Sequence, residues 1–187
     1  MKRLMKNKKG FPKHDYKQMM HKYIEALGSR NGMQRQKARL ALVSIGEPAI
    51  DILAELSIHP QLIVRWEAVK ALSQIKDPVT APLLINALED EYDAIRWLAA
   101  EGLIALGKQG LVSLLQVLTT AKLTIFLREG AHHVLNQLSK RYALTGLADL
   151  INNLENGKNY LNIPIYSRLI LDALAKDNYN EEKSTLH

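Results

Sequence analysis

A helical motif repeated in register constrains this chain more than any other feature. Four segments align without gaps: RQKARLAL from Arg35, RWEAVKAL from Arg65, RWLAAEGL from Arg96 and REGAHHVL from Arg128, at spacings of 30, 31 and 32 residues. In each, the Arg is followed three residues on by Ala (Ala38, Ala68, Ala99, Ala131), seven on by Leu (Leu42, Leu72, Leu103, Leu135) and ten on by Ile or Leu (Ile45, Ile75, Leu106, Leu138). Such offsets lie on one face of an α-helix. Each unit also holds a second apolar segment: PAIDILAEL (48–56), VTAPLLINAL (79–88), QGLVSLLQVL (109–118) and ALTGLADLINNL (143–154). The unit is therefore a helical hairpin, whose apolar side only a neighbouring hairpin can cover.

The punctuation agrees. Gly46, Pro48, Asp77, Pro78, Gly107 and Gly110 fall between an Arg-helix and the following apolar helix, where one helix must stop and another start. Tyr16, Met19, Met20, Tyr23, Ile24 and Leu27 form an i, i+3, i+4, i+7 stripe, so residues 15–27 supply the first helix, and Pro164 opens a last helix that departs from the pattern. The expected architecture is all-α, a right-handed α–α solenoid of about five hairpins over residues 15–176, with a basic flexible tail at 1–14 and a second tail at 177–187. Terminal repeats are expected to be atypical because they cap an otherwise exposed end.

These residues resemble the short HEAT-type repeats of about 30 residues shared by phycobilin lyase subunits and deoxyhypusine hydroxylases, an armadillo-like α-solenoid class. The carriers are the Arg-x-x-Ala-x-x-x-Leu helices and the Gly-x-Pro and Asp-Pro turns. The stretches RWEAVKALSQIKDP, ALEDEYDAIRWLAAEGLIALG and LREGAHHVL also look like uncharacterised prokaryotic HEAT-repeat proteins. The resemblance is specific for fold. The hydroxylases hold metal through His-Glu dipeptides, which this sequence lacks, so their activity is not implied.

Charge is segregated. Eight lysines and arginines between Lys2 and Lys22 stand against Asp15 alone, a local charge of +7, whereas the other 165 residues sum to −1. A nucleic-acid reader usually carries a basic stripe on its folded body; here the basicity sits in the N-terminal tail, which reads either as a solvated terminus or as an electrostatic anchor, the one route by which nucleic acid is expected as a partner. Zero cysteines exclude disulfides, thiolate metal sites and cysteine nucleophiles. The cationic start lacks the apolar core of a secretory signal and no apolar run reaches membrane-spanning length, so the expected location is cytoplasmic.

Arg35, Arg65, Arg96 and Arg128 are expected to be structural, each satisfying carbonyls or an acidic residue of a neighbouring turn, with Asp90 as a partner for Arg96. The positions one and five after each Arg are expected to project onto the inner, concave surface, the usual recognition face of a solenoid. There the sequence places Trp66, Trp97, Lys70, Glu101, Glu129 and His133, with Lys37 and Glu67 counted among the groove charges. Glu101, Glu129 and His133 could converge as metal ligands, but a second histidine on that face is missing. No Gly-rich phosphate loop, nucleophile elbow or Ser-His-Asp ordering occurs; no catalytic residue, cofactor or metal is assigned. The leading expectation is a non-catalytic scaffold that binds a protein or peptide. The alternatives are a nucleic-acid-binding, DNA glycosylase-like protein and, further back, a chromophore lyase or metal enzyme.

Overall fold

A computed structural model describes residues 13–120, 122–156 and 160–184, with side chains between 18 and 176 of these. The basic segment before Lys13 and the last residues, 185–187, lie outside the described residues. Among the described residues ten α-helices and no strand occur: α1 (Lys13–Leu27), α2 (Gly32–Ile45), α3 (Ile50–Leu56), α4 (Leu62–Ile75), α5 (Ala81–Ala87), α6 (Asp93–Ala105), α7 (Lys108–Leu118), α8 (Ile125–Ser139), α9 (Leu147–Asn156) and α10 (Asn162–Ser184). The four Arg-helices are α2, α4, α6 and α8. No single described helix is long and apolar enough to cross a membrane.

Local chemistry sets the boundaries. Asn31 caps α2 by accepting from the amides of Met33 and Gln34 at 2.9 and 3.4 Å, and Thr124 caps α8 through the Leu127 amide at 3.1 Å. Each satisfies donors that the first helical turn leaves unpaired. Asp77 accepts from Val79 ahead of a short 3₁₀ turn, Pro78–Thr80, that leads into α5. At the C-terminal ends of α2, α4 and α6 the chain reverses through positive φ at Gly46 (72°), Lys76 (56°) and Gly107 (58°). All three stand eleven residues after their Arg.

The Arg-helices stack side by side, α2 on α4, α4 on α6 and α6 on α8, and the apolar helices α3, α5 and α7 pack behind them. The described residues form an all-α solenoid of five hairpins. The register residues Ala38, Ala68, Ala99, Ala131, Leu42, Leu72, Leu103 and Leu135 are all buried. Alanine lets two helix backbones approach, while leucine fills the space between layers; each fully buried leucine contributes roughly 1.5–3 kcal/mol. Leu53, Leu84, Leu111, Leu114 and Leu150, from the other helices, are buried in the same cluster. The α6–α7 corner bends by 119°, and a Cβ at Gly110 would collide with the carbonyl of Leu103, so this corner accepts only glycine.

The alternation changes at the C terminus. α9 packs along α8, while α10 lies along both α7 and α9, taking the flank of α7 that an outer helix would otherwise fill. The turn after α8 reaches back over α6, with Arg141 donating to the Ile104 carbonyl at 3.3 Å. The helical backbone of α10 continues to Ser184, past the boundary that the sequence suggests at 176.

Candidate inner-face binding site

The four register arginines sit at the seams between repeats. Arg35 donates to the carbonyls of Ser29 and Arg30 at 2.8 and 3.2 Å, Arg65 to those of His59 and Pro60 at 2.9 and 3.2 Å, and Arg96 to those of Asp90 and Glu91 at 2.8 and 3.1 Å. In all three the acceptors lie six and five residues upstream. One guanidinium therefore ties the helix start to the preceding turn. Arg128 departs from this and reaches forward to the carbonyls of Leu154 and Glu155 at the end of α9, at 3.3 and 3.5 Å.

The acidic partners come from the next repeat. The Asp90 carboxylate accepts from Arg65 at 2.9 Å, and Glu91 accepts from the same guanidinium at 3.0 Å. Asp90 is a partner of Arg96, as expected, but through its backbone carbonyl; its carboxylate goes to Arg65, because the turn carrying Asp90 sits between two Arg-helices and its side chain faces the earlier one. The Asp90 hydrogen bond, outweighing desolvation, raises the Arg65 pKa further above its usual value, with help from the charges of Asp90 and Glu91. Glu67 needs correction. It is not a groove charge but a buried group, 2% exposed, that accepts from Arg35 at 3.2 Å and from Arg39 at 2.6 Å. Arg39, which the sequence did not single out, is itself buried and donates to Gln74 at 3.2 Å. Glu67, two places after Arg65, lies under α2, whereas its register equivalent Lys37 is exposed; the recurrence of Arg at positions 35 and 39 opposite a lone Glu was the available signal.

On the open side of the Arg-helices, positions one and five after each Arg form a ladder. Its first rung, Gln36 and Leu40 on α2, is exposed. On α4, Trp66 is half-buried and the Lys70 ammonium lies 4.2 Å from its ring centroid. Burial, followed by repulsion from Arg39, lowers the Lys70 pKa, and Glu67 partly restores it. On α6, Trp97 is 57% exposed. Its ring leans on His133 of α8, centroids 4.9 Å apart at an interplanar angle of 42°, and His133 Nε2 lies 3.4 Å from Glu101 Oε1. Glu129, one turn before His133, is exposed and makes no hydrogen bond or ion pair with the described residues.

The structure therefore brings Trp97 and Glu101 each against His133, sets Trp66 and Lys70 against each other on the adjacent helix, and gives Glu129, one turn before His133, no hydrogen bond or ion pair with the described residues. Among the described residues no three His, Asp or Glu side chains gather as metal ligands do. Chemically the ladder offers two indole faces, one ammonium and two carboxylates on a rigid helical base.

Residues 20–104 match a family model described as HEAT repeats. No curated protein matches the chain. Among solved structures it is similar to a chain in the complex of CpcE and CpcF of phycocyanin lyase from Nostoc sp. PCC7120, with a TM-score of 0.52 and 23% identity over 81% of this chain and 98% of that one. That likeness is one of fold.

Proposed function

We propose that this chain, a HEAT-repeat protein with the fold of the phycobilin-lyase-type repeats, acts as a non-catalytic scaffold that binds a protein or peptide on the face formed by α2, α4, α6 and α8. The observation that carries this reading is the exposure of Trp97 at the centre of a ladder of polar and aromatic side chains. Tryptophan is enriched among residues that dominate binding energies, and a large exposed indole held by its neighbours is already ordered for contact. Trp66, Lys70, Glu101, Glu129 and His133 complete the surface, while the register arginines serve the seams between repeats. The test is affinity capture with the wild-type chain and with Trp97→Ala. A partner held by the wild type should be lost by the variant; equal retention places recognition on another surface.

The likeness to a phycocyanin lyase complex supports a second reading, a lyase-type role on a chromophore-bearing partner. It predicts a visible absorbance band in protein recovered from its source cell. A nucleic-acid role rests on the basic N-terminal segment alone, since Glu101 and Glu129 on the inner face oppose a phosphate backbone.

A further inference from the structure

We infer that Trp97, Glu101 and Glu129 form a receptor for a cationic side chain, a lysine or arginine presented by the bound peptide. This inference rests on the reading of the inner face as a binding surface and names the chemistry it selects.

Three aromatic rings on or beside the Arg-helices carry a cation of the chain itself. Arg65 lies 5.5 Å from the ring centroid of Tyr92, Lys70 lies 4.2 Å from that of Trp66, and Arg96 lies 4.3 Å from that of Phe126. Each ring has its negative face met by a cation of the chain itself, the arrangement that the ring quadrupole favours. Trp97 differs: among the described residues no lysine or arginine stands over it, its ring neighbour being the His133 imidazole, and it is the most exposed of the four. The contrast with Trp66 is the sharper because the two occupy the same place in successive repeats. Four residues after Trp66 the chain supplies Lys70; four residues after Trp97 it supplies Glu101. A ring that carries an internal cation in one repeat thus carries a carboxylate in the next.

The charges around Trp97 complete the complementarity. Glu101 is half exposed and shared with His133 at 3.4 Å, leaving its second oxygen open to solvent, and Glu129 on α8 is exposed. The pairing of His133 with both Trp97 and Glu101 orients the indole and the carboxylate, as a preorganised site requires. An incoming ammonium or guanidinium is offered a π face of Trp97 and the carboxylate of Glu101, and Glu129, at the position of α8 that Trp97 takes on α6, adds negative charge to the same ladder.

The experiment uses the full chain on an immobilised array of decapeptides of varied composition, comparing wild type with Trp97→Ala, Glu101→Gln/Glu129→Gln and Glu101→Lys/Glu129→Lys. The glutamates are exposed, and far-ultraviolet circular dichroism verifies that each variant keeps its helix. The expected result is that wild-type binders are enriched in lysine and arginine, that Trp97→Ala and the glutamine pair weaken these binders about fivefold or more, and that the lysine pair shifts selection toward acidic peptides. If binding depends on Trp97 but shows no preference for basic residues, or survives charge reversal, the cation receptor is wrong and the binding surface stands. If wild type and Trp97→Ala label the array alike, or neither labels it, both readings fall.

Discussion

Arg39 donates to Glu67 across 2.6 Å, and the two side chains form a buried ion pair that closes the seam between α2 and α4. The second oxygen of Glu67 accepts from Arg35 at 3.2 Å, so one carboxylate holds two guanidinium groups away from water. Removing one partner of such a group leaves uncompensated buried charge, which costs about 3–5 kcal/mol. Glu67→Ala should therefore lower the unfolding free energy by that amount, read as a lower urea midpoint at an unchanged slope of the transition. A loss below about 1 kcal/mol would mean that water reaches the seam.

Lys70 gives the protein a pH dependence of definite sign. Its pKa is lowered from 10.5, first by burial and then by Arg39, so the unfolded chain binds the proton more tightly than the folded one. Stability contributed by this group should rise as pH climbs from the lowered value toward 10.5. Thermal unfolding of wild type and Lys70→Met from neutral to alkaline pH checks this: the rise should be smaller in the variant, and parallel curves would refute the assignment.

The two tryptophans should separate stability from binding. Trp66 is half-buried beneath Lys70, so Trp66→Ala should cost about 2 kcal/mol or more of folding stability. Trp97 is largely exposed, and Trp97→Ala should lose no more than the roughly 1.5 kcal/mol of its ring pairing with His133 while losing partner binding. Denaturation and binding measured on the same two variants decide the matter; an early-melting Trp97→Ala that binds normally once folded would make this indole a packing residue.

Lys76 holds φ at 56°, a conformation that costs a non-glycine residue about 1–2 kcal/mol. Lys76→Gly should raise stability by about 1 kcal/mol. Conversely, an added Cβ at Gly46 meets no atom within 4 Å, so Gly46→Ala isolates the backbone effect, and at φ 72° and ψ −135°, a region left to glycine, it should cost about 1–3 kcal/mol. Chemical denaturation of the two variants should move in opposite directions.

The layers of the fold were legible because Ala and Leu three and seven residues after each Arg must share a helix face, and those eight residues are buried. The partners of charged groups were not. Asp90 stands six residues before Arg96 in sequence, yet its carboxylate turns to Arg65 of the previous repeat, a choice made by how the turn lies between helices. Glu67 reads as a groove charge on an isolated helix and becomes buried only when α2 covers it. The inner ladder could be placed by register, but the differing surroundings of Trp66 and Trp97 depend on what adjacent helices supply. Likewise nothing in the apolar pattern of 143–154 states that α10, rather than α9, will lie along α7.

The positive φ eleven residues after the Arg has a wider meaning for how the chain is routed. At Gly46, Lys76 and Gly107 a positive φ recurs although neither the residue nor its ψ does, −135° and −126° at the glycines against 29° at Lys76, and each time the next helical turn begins within two residues. After Arg128 the eleventh residue is Ser139, still inside α8; the reversal waits until Gly146 at 84°, and there the chain changes which layer it enters next. A single dihedral thus works as a routing signal: kept, it returns the chain to the outer layer, and delayed by seven residues, it ends the alternation. Solenoids of this kind can be compared by torsion at matched positions even where their residues have diverged.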